Sequence, residues 1–599
     1  SHPQNHSLAA GIHDDLLTRL ANGGALKVIS RTTVIAYRDT TKNLREVGEE
    51  LGVGTVLEGA VQRVGDSVRI NAQLIDASTD EHIWANQYDR QLSAVNLFKI
   101  QSEISEEITR ALQATLTNDE QVRLAKIPTD SLAAYNLYTQ GRDNLYKRRL
   151  DTLLKAREQF EAAIALDPDY AEAYVGLTDS VLLLLNNHQA IALDEAFNVA
   201  ETSLDKALSL NSDLADAHAS LGLLKHQMWQ ETRTGSGLEE AAACFVSALE
   251  INPNNASAYM WYASVRGSQQ RIEEAIELYH ESLRVDPLGK IPYANLPGLY
   301  ALRGQNDEAI DLYVKAINIH PEWPTAYQNL AQHLNGLGRL DEAVAWGMKG
   351  QELSSDPLGG ASMVGPYIEF GEYDRVLDLF SGVTDGHPMY IYGLGMEKAL
   401  QGDFAGAAEE IEQAIEGVEN PRRFELSLIT GFSVFAGDFD KALKYAELRN
   451  PEFAADADPQ VDAFNVANLI RYAFILQNHG KNQRADALLQ TALNVVRTLP
   501  RIGLTGHGIR DVQILALQGK TSEALGALRQ AIDEGFRGTA ASNGWPLAID
   551  PYLNSLRGQP GFEAMISELD DAVAKMQQRV SQAEQSGDWD ELRTLVEST

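Results

Sequence analysis

Ala256-Ser257-Ala258-Tyr259, Lys290-Ile291-Pro292-Tyr293 and Pro324-Thr325-Ala326-Tyr327 open three consecutive windows of one length, Ala256–Gly289, Lys290–Trp323 and Pro324–Pro357. Their tyrosines fall 34 residues apart, and Ala275, Ala309 and Ala343 keep that interval, as do Pro253, Pro287 and Pro321. A helical bundle needs apolar residues every three or four positions but no fixed phase over so long a stretch. Alanine returning at one position marks where two helices must cross closely. Tyr279 and Tyr313 are sized to fill the gap against the following unit. Each window therefore reads as a helical hairpin that cannot bury its apolar face alone and must stack on its neighbours.

An aromatic at position 4, Ala at 20, an aromatic near 24, a small residue at 27 and Pro at 32 make this repeat similar to the tetratricopeptide family. The resemblance implies a mostly α fold, a right-handed α-solenoid whose concave side is free to hold a partner. The phase extends both ways with less regularity. Tyr135, Ala156, Phe160 and Ala163 place a first hairpin between Ser131 and Pro168. The anchors Pro168, Ser212 and Pro253 lie 44 and 41 residues apart, so the next hairpins are expected to carry inserted loops. One falls near Asn186–Ala190 and the other at Thr232–Gly237, both candidate contact sites. Regular repeats are thus assigned to residues 131–357.

Beyond Pro357 the period decays, but Gly402-Asp403-Phe404 leads to Ala407, Gly437-Asp438-Phe439 to Ala442, and Gly519-Lys520-Thr521 to Ala524. Residues 358–545 read as degenerate hairpins, broken around Asn450–Asp462. Residues 546–599 read as a capping segment with a final helix at about Phe562–Ala583.

Residues 1–126 follow other rules, and residues 127–130 link them to the repeats. Helices are expected at Asp14–Asn22, Asn43–Leu51 and Leu97–Leu116, and a short strand at Leu26–Ser30. Thr55–Arg63 and Ser67–Ile75 are β-rich runs around Val64-Gly65-Asp66, a hairpin signal, and His82–Tyr88 is a further strand. In the second run Val68, Ile70, Ala72 and Leu74 alternate with Arg69, Asn71 and Gln73, so one face is buried and the other wet.

These residues carry a second resemblance. Gly11-Ile12-His13-Asp14-Asp15-Leu16-Leu17, Leu26-Lys27-Val28-Ile29-Ser30-Arg31-Thr32-Thr33 and Val56-Leu57-Glu58-Gly59-Ala60-Val61-Gln62-Arg63 look like the TolB N-terminal-like domain. So do Arg69-Ile70-Asn71-Ala72-Gln73-Leu74-Ile75-Asp76 and Trp84-Ala85-Asn86-Gln87-Tyr88-Asp89-Arg90. The match covers residues 8–126. The family's first apolar strand is expected upstream of Ser1, which would leave an open sheet edge suited to self-association. In that family the domain precedes tetratricopeptide arrays in bacterial regulators of the CadC, class III adenylate cyclase or Ser/Thr kinase type. The resemblance implies a sensory or scaffolding part, on the periplasmic side of a single-pass inner-membrane protein or, alternatively, in the cytoplasm.

The chain has 50 Lys and Arg against 84 Asp and Glu, a formal charge of −34. Most of that acidity lies past residue 126, so the repeats repel phosphate backbones and nucleic acid is excluded as a partner of this chain. One cysteine, Cys244, rules out a disulfide framework and is expected to be a small buried residue. No run of 18 apolar residues exists, so membrane attachment is expected only through a segment upstream. There is no GxxxxGK[ST] loop, no HExxH and no GxSxG. His218 and His226 lack carboxylates at ligand spacing, and Asp456, Asp458 and Asp462 lack the glycine and distal Glu of a calcium loop. No enzyme, cofactor or metal is expected.

What remains is the groove. Inward positions of the regular repeats give Met260, Ser264, Ile291, Leu302, Gln328, Gln332 and Asn335, with Asn295 and Asn329 where chaperone-binding relatives carry a clamp asparagine. The basic residues of such a clamp are missing. The groove is expected to take a peptide or protein partner by hydrogen bonds to Gln328, Gln332 and Asn335 and apolar contact at Met260, Ile291 and Leu302. A homo-oligomer built on the open sheet edge is the other expected assembly.

Overall fold

The alternation in Ser67–Asp76 is realised as one face of a sheet. In the computed structural model β1 (Thr55–Val64), β2 (Ser67–Asp76) and β3 (His82–Gln91) pair antiparallel in the order β1-β2-β3. The first hairpin closes at Val64 opposite Ser67, and Gly65 supplies the positive φ of 59° its turn requires. Val68, Ile70, Ala72 and Leu74 are at most 5% exposed. The structure describes residues 3–22, 26–37, 40–114, 116–188, 190–232, 236–384, 389–418, 421–455, 459–538 and 545–597. They form two compact units, Ser1–Pro292 and Tyr293–Thr599.

In the first unit α1 (Pro3–Asn22), α2 (Arg31–Ile35) and α3 (Leu44–Leu51) precede the sheet, and α4 (Ala94–Ala111) and α5 (Asn118–Ala125) follow it. The buried face of β2 packs on Leu97, Ile100, Ile104 and Ile108 of α4 and on Ile12, Leu16 and Leu20 of α1. Two expectations change. The helix expected at Leu97–Leu116 starts at Ala94, where the Ser93 side chain caps it, and stops at Ala111. Gln113 then takes a φ of 56°, which no helix accepts, and Thr117 caps α5 with Glu120 in a reciprocal pair. Leu26–Ser30 is not a strand. Its main chain bonds to helical hairpins instead: Ser30 N donates to Val285 O at 2.9 Å, and Val28 N makes a long bond of 3.5 Å to Asn254 Oδ1.

Four hairpins follow: α6 (Leu132–Tyr146) with α7 (Leu150–Leu166), α8 (Ala171–His188) with α9 (Leu193–Leu210), α10 (Ala215–Thr232) with α11 (Gly237–Ile251), and α12 (Ala256–Ser268) with α13 (Ile272–Val285). Small residues meet aromatics at the crossings, as the repeat demands. A Cβ on Gly141 would lie 2.7 Å from the Phe160 ring, and one on Gly222 would lie 2.8 Å from Phe245. The extra residues of the long repeats go mostly into helix: α8, α9 and α10 each run 18 residues against 13 in α12. The expected insertions therefore lengthen helices rather than build contact loops, although residues 189 and 233–235 lie outside the described residues. Cys244 on α11 is half-buried rather than buried.

The helix α14 (Lys290–Leu302) begins in the first unit and ends in the second, which continues with α15 (Asn306–Ile319), α16 (Pro324–Gly336) and α17 (Leu340–Leu353). Ala309 and Ala343 are 0% exposed, at the crossings their spacing predicts. Paired helices run on to Thr521–Asp533, interrupted by the four-residue helix Pro451–Ala454 near the expected break. Asp462 bonds locally to the amides of Phe464 and Asn465, while Asp456 and Asp458 lie outside the described residues. The closing helix Pro560–Ser586 buries Phe562, Met565, Leu569, Val573, Met576, Val580 and Ala583. Its far end reaches α17, where Arg579 pairs with Asp341, and the helix after it packs there too, with Arg593 Nε donating to Ala345 O at 3.3 Å. The apolar stripe is thus covered along its whole length, by more than the last hairpin.

Candidate partner-binding cleft

The first helices of the four early hairpins, α6, α8, α10 and α12, supply one wall of a cleft within the first unit. Three residues on from Pro168, Ser212 and Pro253 stand Ala171, Ala215 and Ala256, and each opens a helix. Inward positions then fall on Asp179 and Leu183 of α8, Asp216, Ala219 and Leu223 of α10, and Ser257 of α12. All six line a cavity of about 230 Å³. The facing wall is α1, the non-helical Val28–Ser30 and the first residues of α2, Arg31 and Thr32.

Polar contacts run across this wall from helix to helix. Asp14 of α1 lies 3.5 Å from both Arg31 and Arg142. Arg142 Nη1 donates to Tyr138 Oη at 3.0 Å and lies 4.0 Å from Asp216, whose other oxygen accepts from Asn255 Nδ2 at 2.9 Å. Asp179 accepts from Ser220 Oγ at 2.5 Å, and burial pushes its carboxyl up to about 6 in spite of that bond. Arg31 bonds Asp143 at 2.5 Å and stacks over the Tyr146 ring at 4.5 Å. Tyr146 is 40% exposed, so the cleft is wet on that side.

The end of α1, the segment before α2 and the first turn of α2 are tied to the hairpins. Asn254 Nδ2 donates to Leu26 O at 2.9 Å and to Ala21 O at 3.1 Å, Ser30 N reaches Val285 O, and Thr33 Oγ1 donates to Asp286 at 2.6 Å. α1 is fixed beside it. Asp15 accepts from Tyr135 Oη at 2.6 Å and Gln101 Nε2 at 3.1 Å, while Arg19 bonds Ser102 and the Leu124 and Lys126 carbonyls. Burial raises Asp15 to about 6 and Glu172, on the same side of α8, to about 7.

The nine residues expected to line a groove are divided between the units: Met260, Ser264 and Ile291 in the first, the other six in the second. Met260 is 5% exposed and is packed rather than presented. Ser264 bonds the Met260 carbonyl at 3.3 Å and the Tyr279 hydroxyl at 2.8 Å, and Ile291 is half-buried. Gln328 donates to Gly359 O at 2.8 Å, and the Asn335 amide sits 2.7 Å from where a Cβ on Gly365 would stand. These two therefore stack one hairpin on the next instead of facing an open groove. Asn329 and Leu302 are half-buried, whereas Asn295 and Gln332 are exposed. Of the histidines weighed for metal, His218 bonds Ser212 O at 2.9 Å and His226 bonds Ser268 Oγ at 3.1 Å. Among the described residues no three His, Cys, Asp or Glu side chains are grouped to hold a metal, and no helix is long and apolar enough to cross a membrane.

Sequence reasoning missed the cleft because it mapped inward positions only onto the regular repeats. The same count from Pro168 and Ser212 would have reached Asp179 and Asp216.

Residues 234–289 match the tetratricopeptide repeat family model. A Rhizobium meliloti (strain 1021) protein named "Putative adenylate cyclase 3" is 32% identical over 221 residues, which is 37% of this chain and 37% of that protein. The chain thus spans little more than a third of that relative. Among solved structures it is similar to TTC0263, a thermophilic TPR protein of Thermus thermophilus, at 21% identity over 32% of this chain and 92% of that one, with a TM-score of 0.28. YrrB, a TPR protein with an unusual peptide-binding site, matches at 20% identity over 32% and 89%, with a TM-score of 0.22. The human IFIT1 dimer with PPP-AAAA matches at 18% over 60% and 79%, with a TM-score of 0.35. Residues 234–289 are thus shown as tetratricopeptide repeat, a kind of repeat that mediates protein–protein interaction, and the helical hairpins on either side of them, preceded by a small α/β domain, are consistent with a solenoid of such repeats.

Proposed function

We propose that this chain is the partner-docking, regulatory part of a bacterial signalling protein, with an extended protein segment as its ligand and the concave wall of the early hairpins as its receptor. The observation that carries the reading is the hold on Leu26–Thr33. The non-helical stretch Leu26–Ser30 lies on the hairpins and is held through its own main chain, Leu26 O accepting from the Asn254 side chain and Ser30 N donating to the Val285 carbonyl, while Arg31 and Thr33 in the first turn of α2 add side-chain bonds. A surface that binds one extended segment in this way is suited to binding another. The resemblance of residues 8–126 to the TolB N-terminal-like domain agrees with a sensory or scaffolding role. The named relative favours one version of it, in which the solenoid restrains or organises an adenylate cyclase.

A photo-reactive phenylalanine analogue tests this reading. It replaces Trp261 in the cleft in one protein, and the exposed Glu201 on α9 in another. Cross-linked partner peptides at position 261 and not at 201 support a concave receptor. Equal yields at the two positions refute it.

A further inference from the structure

Resting on that reading of the cleft, we propose that its partner segment is basic: a Lys or Arg side chain of an extended peptide enters the cavity and is anchored by Asp179 and Asp216, while Arg31 serves a main-chain carbonyl of the same peptide.

Size narrows the occupant first. About 230 Å³ lies below the roughly 300–1,000 Å³ typical of small-molecule sites, and it suits one long side chain better than a cofactor. The donor and acceptor inventory narrows it further. Asp14, Asp179, Asp216 and Asp286 line the cavity beside Arg31, Arg142 and Arg148. Arg31 is already shared between Asp14 and Asp143, and Arg142 between two tyrosines, Asp14 and Asp216. Four carboxylates thus face three guanidiniums, and the Asp216 side chain is still 41% exposed. A cation supplies what is missing. The acidity of the whole chain steers such a partner inward.

A second observation points to peptide rather than to a free ion. Arg31 lines the cavity, its side chain is only 6% exposed, and its Nη1 has no hydrogen-bond acceptor. Arg142 Nε has none either. Buried guanidinium donors of this kind call for an acceptor, and an extended peptide presents carbonyls together with its side chain. The chain also provides a template for the anchor. Arg31, at the start of α2, pairs with two carboxylates over the Tyr146 ring, and Trp261 offers a further ring surface to an incoming cation.

The test is fluorescence polarisation on the full chain with a labelled nonapeptide of alternating Arg and Ser, its Arg-to-Gln counterpart and its Arg-to-Glu counterpart. The basic probe is expected to bind at least ten-fold more tightly than the other two. Asp179→Asn with Asp216→Asn is expected to weaken it by ten-fold or more. Glu201→Gln with Asp205→Asn, which removes the same charge from the exposed face of α9, is expected to change it less than two-fold. Asp216→Asn alone, at a half-exposed site, keeps the test open if the double variant melts early. Equal weakening by both charge-neutralising pairs would reduce the effect to bulk acidity and overturn the proposal. So would the Gln or Glu probe binding as well as the Arg probe, or no probe binding at all. If position 261 still cross-links a partner in either case, the cleft remains a receptor and only its preference for a basic anchor is lost.

Discussion

Thr33 Oγ1 donates to Asp286 Oδ1 at 2.6 Å and accepts from Leu288 N at 3.0 Å, so one buried hydroxyl joins positions more than 250 residues apart in the chain. Thr33 is 0% exposed, and its two partners belong to the turn after the fourth hairpin. Thr33→Val keeps the shape and removes both bonds, at about 1–3 kcal/mol. The chain has two units, so a single melting temperature is a poor reporter. Hydrogen exchange is better: amides 28–33 are expected to exchange roughly ten-fold faster or more in the variant, with β2 unchanged. Unaltered protection at 28–33 would mean that this contact does not hold the segment.

The carboxyls beside α1 predict a pH dependence. Burial raises Asp15 to about 6, opposed by hydrogen bonds from Tyr135 and Gln101, and raises Glu172 to about 7. A carboxyl with a raised pKa binds its proton more tightly folded than unfolded. Its contribution is therefore most favourable below the unfolded value near 4, declines as pH rises, and levels off above the folded value. The first unit is expected to lose stability between about pH 4 and 7 through these groups. Asp15→Asn, which keeps an oxygen for the Tyr135 hydroxyl, should flatten that slope and stabilise the unit at pH 7.5 by on the order of 1–3 kcal/mol. Thermal melts of the α1–α6 region across pH, read by exchange at α6, check it. An unchanged slope would assign the pH response elsewhere.

The solenoid was legible because its rule is steric and local. Ala275, Ala309 and Ala343 are 0% exposed at helix crossings, and a fixed interval between small residues has no other simple cause. The strand alternation of Val68–Leu74 was legible for the same reason. The segment Leu26–Ser30 was not. Its apolar, β-branched residues suit a strand, and Ile29 is indeed buried against Val47 and Leu51. What decides its conformation is a set of bonds to Asn254 and Val285, residues no local pattern connects to it. The cleft was hidden by the same distance, since its facing wall belongs to α1 and to residues 28–32. Gln328 and Asn335 mislead in the opposite sense: they stand on the first helix of their hairpin, as a groove residue would, but the following hairpin folds back to use them.

Ala309 supplies the direct test of the repeat phase. It is 0% exposed on α15, in the company of Ile310, Tyr313 and Ala316. Ala309→Leu adds three carbons to a crossing with no room for them and is expected to cost about 1–3 kcal/mol, seen as a lower melting temperature of the second unit. Asp311→Leu on the exposed face of the same helix is the control and should shift it little. Equal shifts would place Ala309 away from a crossing.

Arg579 and Asp341 carry the last prediction. Asp341 is the buried member of their ion pair, its side chain 1% exposed, and burial raises its pKa while Arg579 opposes that rise. Removing the guanidinium strands a carboxylate in a poor solvent. Because Arg579 is itself 48% exposed, water enters and limits the cost to about 1–3 kcal/mol, below that of a fully buried pair. Arg579→Gln should therefore loosen the far end of the Pro560–Ser586 helix from α17 and speed cleavage there by thermolysin, which cuts at the apolar residues Val573, Met576 and Val580. Asp341→Asn, which removes the stranded charge, should restore most of the resistance when combined with it. The double variant cleaved as fast as Arg579→Gln alone would show that the helix is held by its apolar stripe, Val573, Met576 and Val580, and that the ion pair contributes nothing to the docking.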